Sequence, residues 1–339
     1  MAKNFILHSV FGEVEPDVMR HAEVYLLIVA GSIPFMALYN GGAAIFRTMG
    51  RSDITMMVSI IMNVINVSGN AILIYGLHRG TEGVAIPTLV SRIAAAVIII
   101  ALLCNEKRTL YIKKSFRYRA DWPMVKRIMS IGIPNGLENS MFQLGKILVL
   151  SLISTFGTYA IAANAVSNAV ALFQILPGMA ISLAVTTVIS RCVGAGDYEQ
   201  VKYYNKKFLV ITYVSIAVMV LLITALLPVI LKAYGLSDLT ASVTKKIIYF
   251  HGAGAILIWP LAFTLPGTFR ASGDAKACMY ISIFSMWVFR IGFSFVIGKY
   301  MGLGVFGVWV AMVIDWVFRT ICFIIRYFKG SWKKQAVTG

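Results

Sequence analysis

An all-α integral membrane fold is predicted: about nine transmembrane helices, in two lobes of a parallel six-helix repeat with the first lobe truncated. Three observations predict it. The 339 residues are 59% hydrophobic and only 13% charged, with a mean hydropathy of +0.80, whereas soluble domains carry about 25% charged residues. The apolar residues gather in runs of the roughly 20 needed to cross a bilayer. A five-residue motif after the first run recurs after the seventh, with a second match in register behind it.

The nine runs lie at 24–46, 54–77, 84–104, 128–153, 161–190, 208–231, 247–269, 277–298 and 302–325. Open backbone cannot cross hydrocarbon, so each is read as a helix. A barrel strand would alternate over about ten residues, and these runs do not alternate.

The formal net charge is +17, but the basic residues sit in short segments between apolar runs. That is the pattern of cytoplasmic loops, and it argues against a nucleic-acid partner. The segments 47–53, 105–127, 191–207, 270–276 and the basic tail 326–339 hold twenty Lys and Arg, against seven on the opposite side. The richer side is cytoplasmic. The chain is therefore expected in the cytoplasmic (inner) membrane, multi-pass, with its C-terminus inside and residues 1–23 as an outer flank or the remnant of a missing helix. The organisation that follows is a partial N-lobe over 24–104, a basic cytoplasmic linker over 105–127 and a C-lobe over 128–325.

Cys104, Cys192, Cys278 and Cys322 form no CxxC or Cys/His cluster, which argues against a metal site or a disulfide. No phosphate loop or nucleophile motif appears, since Gly194-Ala195-Gly196-Asp197 lacks the lysine of a phosphate loop. An enzyme is not expected, and no cofactor is implied.

Phe46-Arg47-Thr48-Met49-Gly50 and Phe269-Arg270-Ala271-Ser272-Gly273 share the pattern F-R-x-x-G. Gly83-Val84 and Gly307-Val308 follow them at nearly the same offset. Six spans separate the paired segments, which predicts a parallel repeat. Four spans precede the second motif within its lobe and one precedes the first, so three spans are expected to be missing upstream.

Ionisable groups at membrane depth cost about 2.5–3.5 kcal/mol on insertion scales, so Arg92, Glu138, Lys146, His251, Arg290, Asp315 and Arg319 each need a reason. Glu138 lies four residues after Pro134, which removes a helical hydrogen bond. A buried carboxylate there suits uptake and release of a proton or sodium ion; the alternative is an ion pair with Lys146. Arg290 and Asp315, on neighbouring helices, read as a structural ion pair. Arg92 and Arg319 pair or snorkel, and His251 is placed near the outer end of its span. Asn63, Asn66 and Asn70 share one helical face by spacing, where amides must find partners in protein or water. A cavity is expected from Gln143, Asn164, Asn168, Tyr39, Met141 and Phe142, with Trp259 and Trp287 nearby. Aromatic and methionine surfaces suit amphipathic cations. Pro34, Pro134, Pro177, Pro260 and Pro266 offer bends within spans.

These stretches together resemble the multidrug and toxic compound extrusion (MATE) transporters. The likeness runs from Tyr25–Leu38 and the first F-R-x-x-G motif through Asn66-x3-Asn70, Leu73-Ile74-Tyr75-Gly76, Gly132-Ile133-Pro134 and Ala162-Ala163. It continues in Gly194-Ala195-Gly196-Asp197 and the second motif. The resemblance implies helices four to twelve of a twelve-helix fold. It implies a secondary antiporter that exports organic cations, drugs or metabolites in exchange for sodium ions or protons, as a monomer surrounded by membrane lipid. It implies cation coupling at Glu138, Asn66, Asn70 and Asn63, with a sodium ion at Asn66 and Asn70; helix-to-helix hydrogen bonding is the alternative for the amides. The family often has Asp where Asn70 stands, and its first helix carries an acid of the N-lobe site. Two other readings stay open: a lipid-linked oligosaccharide flippase of the same superfamily, and an inactive truncated fragment.

Overall fold

In a computed structural model, residues 16–106, 109–113, 121–330 and 332–333 are described, with side chains from residue 19 onward. Most of the basic linker (Lys107, Arg108, Lys114, Arg117, Arg119) and the end of the basic tail lie outside these residues, as does the start of the outer flank. Every regular element among the described residues is helical.

The chain divides into two compact units, 1–119 and 120–339. In the first, α1 (Pro16–Thr48), α2 (Ser52–Ala71) and α3 (Glu82–Leu103) pack together. Tyr39, Ala43 and Phe46 of α1 meet Val58 of α2 and Ile99 of α3 in an apolar core. α1 begins eight residues before the expected span, so part of the expected flank is helix.

The second unit runs through α4 (Trp122–Ser154), α5 (Thr158–Gly194), α6 (Tyr198–Ala233) and α7 (Asp238–Leu257). It continues with the short α8 (Leu265–Ala271), then α9 (Ala275–Ser285) and α10 (Gly304–Lys329). Local chemistry starts these helices. Asp121 accepts from the Met124 backbone N–H at 3.2 Å and Asp197 from that of Gln200 at 2.9 Å, each capping otherwise unsatisfied donors. Lys126 and Arg127, expected in the linker, belong to the first turns of α4. α7 and the Pro260–Ala271 segment meet at a 61° bend, where Pro260 withholds a backbone donor.

Seven helices among the described residues are long and apolar enough to cross a membrane, and the bent pair makes an eighth. The expected span 128–153 lies in α4, a 33-residue helix. Asn135, Glu138, Asn139, Gln143 and Lys146 in its middle keep it out of that set.

The repeated motifs have the same backbone. Arg51 N–H donates to Phe46 O at 2.9 Å, and Asp274 N–H to Phe269 O at 2.8 Å. Gly50 and Gly273 take the left-handed conformation, φ 78° and 85°, that such a helix end demands. The helices that lead up to the second match, Gly83-Val84 and Gly307-Val308, also loosen alike. α2 loosens into a π-helical turn, Ile72–Gly76, and α9 runs on through Met286–Gly292 and Ser294–Tyr300. Leu77 N–H reaches Ile72 O at 3.1 Å; Met301 N–H reaches Val296 O at 2.9 Å.

Candidate substrate cavity and polar cluster

Asn66 and Asn70 come together and Asn63 does not. In the first unit, Asn66 Nδ2 donates to Thr88 Oγ1 of α3 at 3.1 Å, and Asn70 Nδ2 donates to Asn66 Oδ1 at 3.2 Å. Asn70 Oδ1 is buried with no partner. Asn63 is exposed and makes no side-chain hydrogen bond to Asn66 or Asn70. Arg92 Nη1 donates to Ser32 Oγ at 2.6 Å, joining α3 to α1. Tyr39, expected in a cavity, is 9% exposed within the first unit's core. Its alternation with Ala43 and Phe46 along α1 puts it on the packing face.

The second unit holds a cavity of about 550 Å³. Asn139, Lys146, Asn168 and Arg290 supply its polar and cationic side, and Phe142, Trp259, Trp309 and Trp316 its aromatic side. A cavity of about 350 Å³ shares Lys146, Asn168, Arg290 and Trp309 with it and adds Asn164. A third, of about 210 Å³, shares Asn139, Phe142 and Phe263 and adds Glu138, Arg270 and Arg319. Asn164 Oδ1 accepts from Trp309 Nε1 at 3.2 Å and Asn168 Nδ2 donates to Asn164 O at 2.8 Å. Met141, Gln143 and Trp287 line none of the three. They sit on α4 and the α9 extension at positions turned from Phe142 and Arg290.

Glu138, for which an ion pair with Lys146 is the alternative reading, and Asp315, expected to pair with Arg290, each take another partner. Glu138 pairs with Arg270, whose Nη2 donates to both carboxylate oxygens at 2.7 and 2.9 Å, and not with Lys146. The residues eight apart on α4 are two turns distant, whereas α8 brings Arg270 against Glu138. Asp315 pairs with Arg319, one turn along α10, at 2.9 Å, and not with Arg290. Ser285 also donates to Asp315 Oδ1, and Arg319 Nη2 donates to Ser282 O at 3.2 Å. Arg290 instead holds its guanidinium carbon 5.3 Å from the Phe142 ring centre. His251, expected at an interface, is buried. Its Nδ1 lies 2.6 Å from Gln174 Oε1, and its ring sits edge-on to Trp309 and Trp316 at 5.4 and 5.3 Å.

Sequence reasoning missed Arg270, Thr88, Trp309 and Trp316. The first was visible as part of a repeated motif, but its partner lies 132 residues away. Nothing in the local pattern marked the other three.

Apolar helices of bilayer length with an aromatic, polar-sided cavity among them define a multi-pass membrane protein. The family model described as MatE matches residues 3–72 and 134–296. The chain is 25% identical to the probable multidrug resistance protein NorM of Thermotoga maritima, over 98% of this chain and 72% of that protein. It is 26% identical to the probable multidrug resistance protein YoeA of Bacillus subtilis, over 95% of this chain and 71% of that one. Among solved structures, an outward-facing multidrug resistance MATE family transporter superposes with a TM-score of 0.85 at 20% identity, covering 95% of this chain and 72% of that chain. The chain belongs to the MATE family and is a transporter, not an enzyme.

Proposed function

We propose that this protein is a secondary active antiporter that exports small amphipathic organic compounds, drugs or metabolites, from the cell by alternating access. It works in the cytoplasmic membrane as a monomer with its C-terminus inside. The observation that carries the reading is the 550 Å³ cavity in a chain of this family, a volume suited to a drug-sized ligand of about 300–1,000 Å³.

Sodium is the coupling ion in this reading, bound at Asn66, Asn70 and Thr88. These side chains offer amide and hydroxyl oxygens, the hard ligands a small cation takes. Asn70 Oδ1, buried and unpartnered, is the acceptor such an ion would satisfy. An amide cannot take up a proton near neutral pH, so this cluster does not support proton coupling. Glu138 supports it less well than its position suggests, because Arg270 already holds its carboxylate. The geometry favours a structural tie for that pair.

The test is efflux of a fluorescent substrate from proteoliposomes under an imposed sodium gradient, with a pH gradient as comparison. Sodium-driven efflux that falls at least tenfold in Asn66→Ala supports the reading. Efflux driven only by the pH gradient removes the sodium assignment.

A further inference from the structure

We propose that the cavity of the second unit is an anion site: it takes an amphipathic organic compound carrying a carboxylate, sulfonate or phosphate, held between Lys146 and Arg290. The proposal deepens the transport reading, on which it rests, and departs from the organic-cation expectation.

The argument is a charge balance. Lys146 Nζ lies 5.0 Å and Arg290 Cζ 5.3 Å from the centre of one ring, that of Phe142. Both line the 550 Å³ cavity and its 350 Å³ neighbour, and neither cavity has an acidic residue in its wall. Among the described residues, neither cation belongs to an ion pair. The nearby acids are already engaged: Glu138 by Arg270, and Asp315 by Arg319. Asp315 is the acid whose charge reaches Arg290, but its hydrogen bonds go to Arg319 and Ser285 and not to Arg290.

Two cations beside one another in a membrane-spanning unit repel, and each is costly there without a counter-charge. The shared ring gives each a favourable face, but a single quadrupole does not neutralise two full charges. An incoming oxyanion would. Arginine offers a planar fork to a carboxylate, sulfonate or phosphate, and lysine adds a mobile point charge. The remaining wall suits an aromatic body. Trp259, Trp309 and Trp316 line the same cavity, with Met179 and Met312 as adaptable filler. Asn168 supplies a polar edge. His251 is 2% exposed and held by Gln174, so it adds shape rather than charge. An organic cation entering this space would meet two like charges.

The same oxyanion chemistry is carried by a soluble aromatic anion and by a lipid phosphate headgroup, and the experiment separates them. The full chain is placed in nanodiscs of phosphatidylcholine alone. Equilibrium binding is measured for naphthalene-2-sulfonate and for its cationic isostere, naphthyl-2-trimethylammonium. The sulfonate is expected to bind at least tenfold more tightly. Lys146→Gln and Arg290→Gln each weaken it by about tenfold, while Arg290→Lys retains the preference for the sulfonate. Thermal unfolding of each variant checks that the fold persists. Equal or tighter binding of the ammonium, or unchanged sulfonate binding in both folded glutamine variants, overturns the proposal.

In a second arm, phosphatidylglycerol replaces part of the phosphatidylcholine. Sulfonate affinity that is unchanged identifies the soluble anion as the ligand. Competition that disappears in Arg290→Gln identifies the lipid phosphate. Transport is scored separately in proteoliposomes. Sulfonate that binds but is not moved counts against the transport reading alone, whereas a cationic dye that is moved while the sulfonate fails to bind counts against the anion site alone.

Discussion

Glu138 accepts two hydrogen bonds from Nη2 of Arg270, at 2.7 and 2.9 Å, and thereby ties the middle of α4 to the end of α8. Their side chains are 12% and 29% exposed. Breaking a fully buried pair costs about 3–5 kcal/mol, and solvent screening at Arg270 brings this nearer to about 1–3 kcal/mol. Glu138→Gln should therefore lower the thermal unfolding midpoint while sodium-driven efflux stays within about threefold of wild type. The double variant Glu138→Gln/Arg270→Gln should lose less than the two single losses combined. Wild-type stability with abolished efflux would make Glu138 a coupling group after all.

Asp315 is fully buried and Arg319 nearly so. Ser285 and Arg319 both bond Asp315 Oδ1, while Oδ2 has no partner. Asp315→Asn keeps the shape but strips Arg319 of its counter-charge, leaving an uncompensated cation in the core of the second unit. The expected loss is about 3–5 kcal/mol, read by thermal unfolding. Asp315→Asn/Arg319→Met, which removes both charges, should recover part of it. A single variant as stable as wild type would show that Arg319 finds another partner.

The helical class and the positions of the helices were legible because lipid leaves the backbone one solution per apolar run. The repeat was legible because two helix ends need a left-handed glycine at the same place, Gly50 and Gly273. Partnerships were not legible. Glu138 meets Arg270 rather than Lys146, and Asp315 meets Arg319 rather than Arg290, because the choice depends on how α8 and α10 pack. Periodicity does not encode that packing. Tyr39 shows the same limit: an aromatic on a span serves a core or a cavity equally well until its neighbours are known. Asn66 and Asn70 were found from their spacing, while Thr88, on another helix, carried no signal.

Gly307 and Gly41 should respond in opposite directions to the same methyl group. A Cβ at Gly307 would lie 2.9 Å from the backbone of Gly298, so α10 must move away from the α9 extension. Overpacking of that kind costs about 1–3 kcal/mol. At Gly41, in α1, nothing lies within 4 Å of the added atom, and alanine gains about 0.5–1 kcal/mol in helix propensity. Unfolding midpoints should fall for Gly307→Ala and hold or rise for Gly41→Ala. A tolerated Gly307→Ala would mean that the two backbones can separate at little cost.

Asn70→Asp tests the sodium cluster without enlarging any side chain. The variant exchanges the Nδ2 donor that now reaches Asn66 Oδ1 for a second oxygen. Without a cation, two oxygens then face each other in a low-dielectric setting, which is unfavourable. With sodium between them, the new negative charge binds the ion more tightly than an amide can. Asn70→Asp should therefore unfold at a lower temperature than wild type in choline chloride and recover in sodium chloride. Its half-saturating sodium concentration for efflux should be at least tenfold lower, about 1.4 kcal/mol in binding. If choline and sodium chloride give the same unfolding midpoint in this variant, no sodium ion sits between residues 66 and 70, and the coupling ion binds elsewhere.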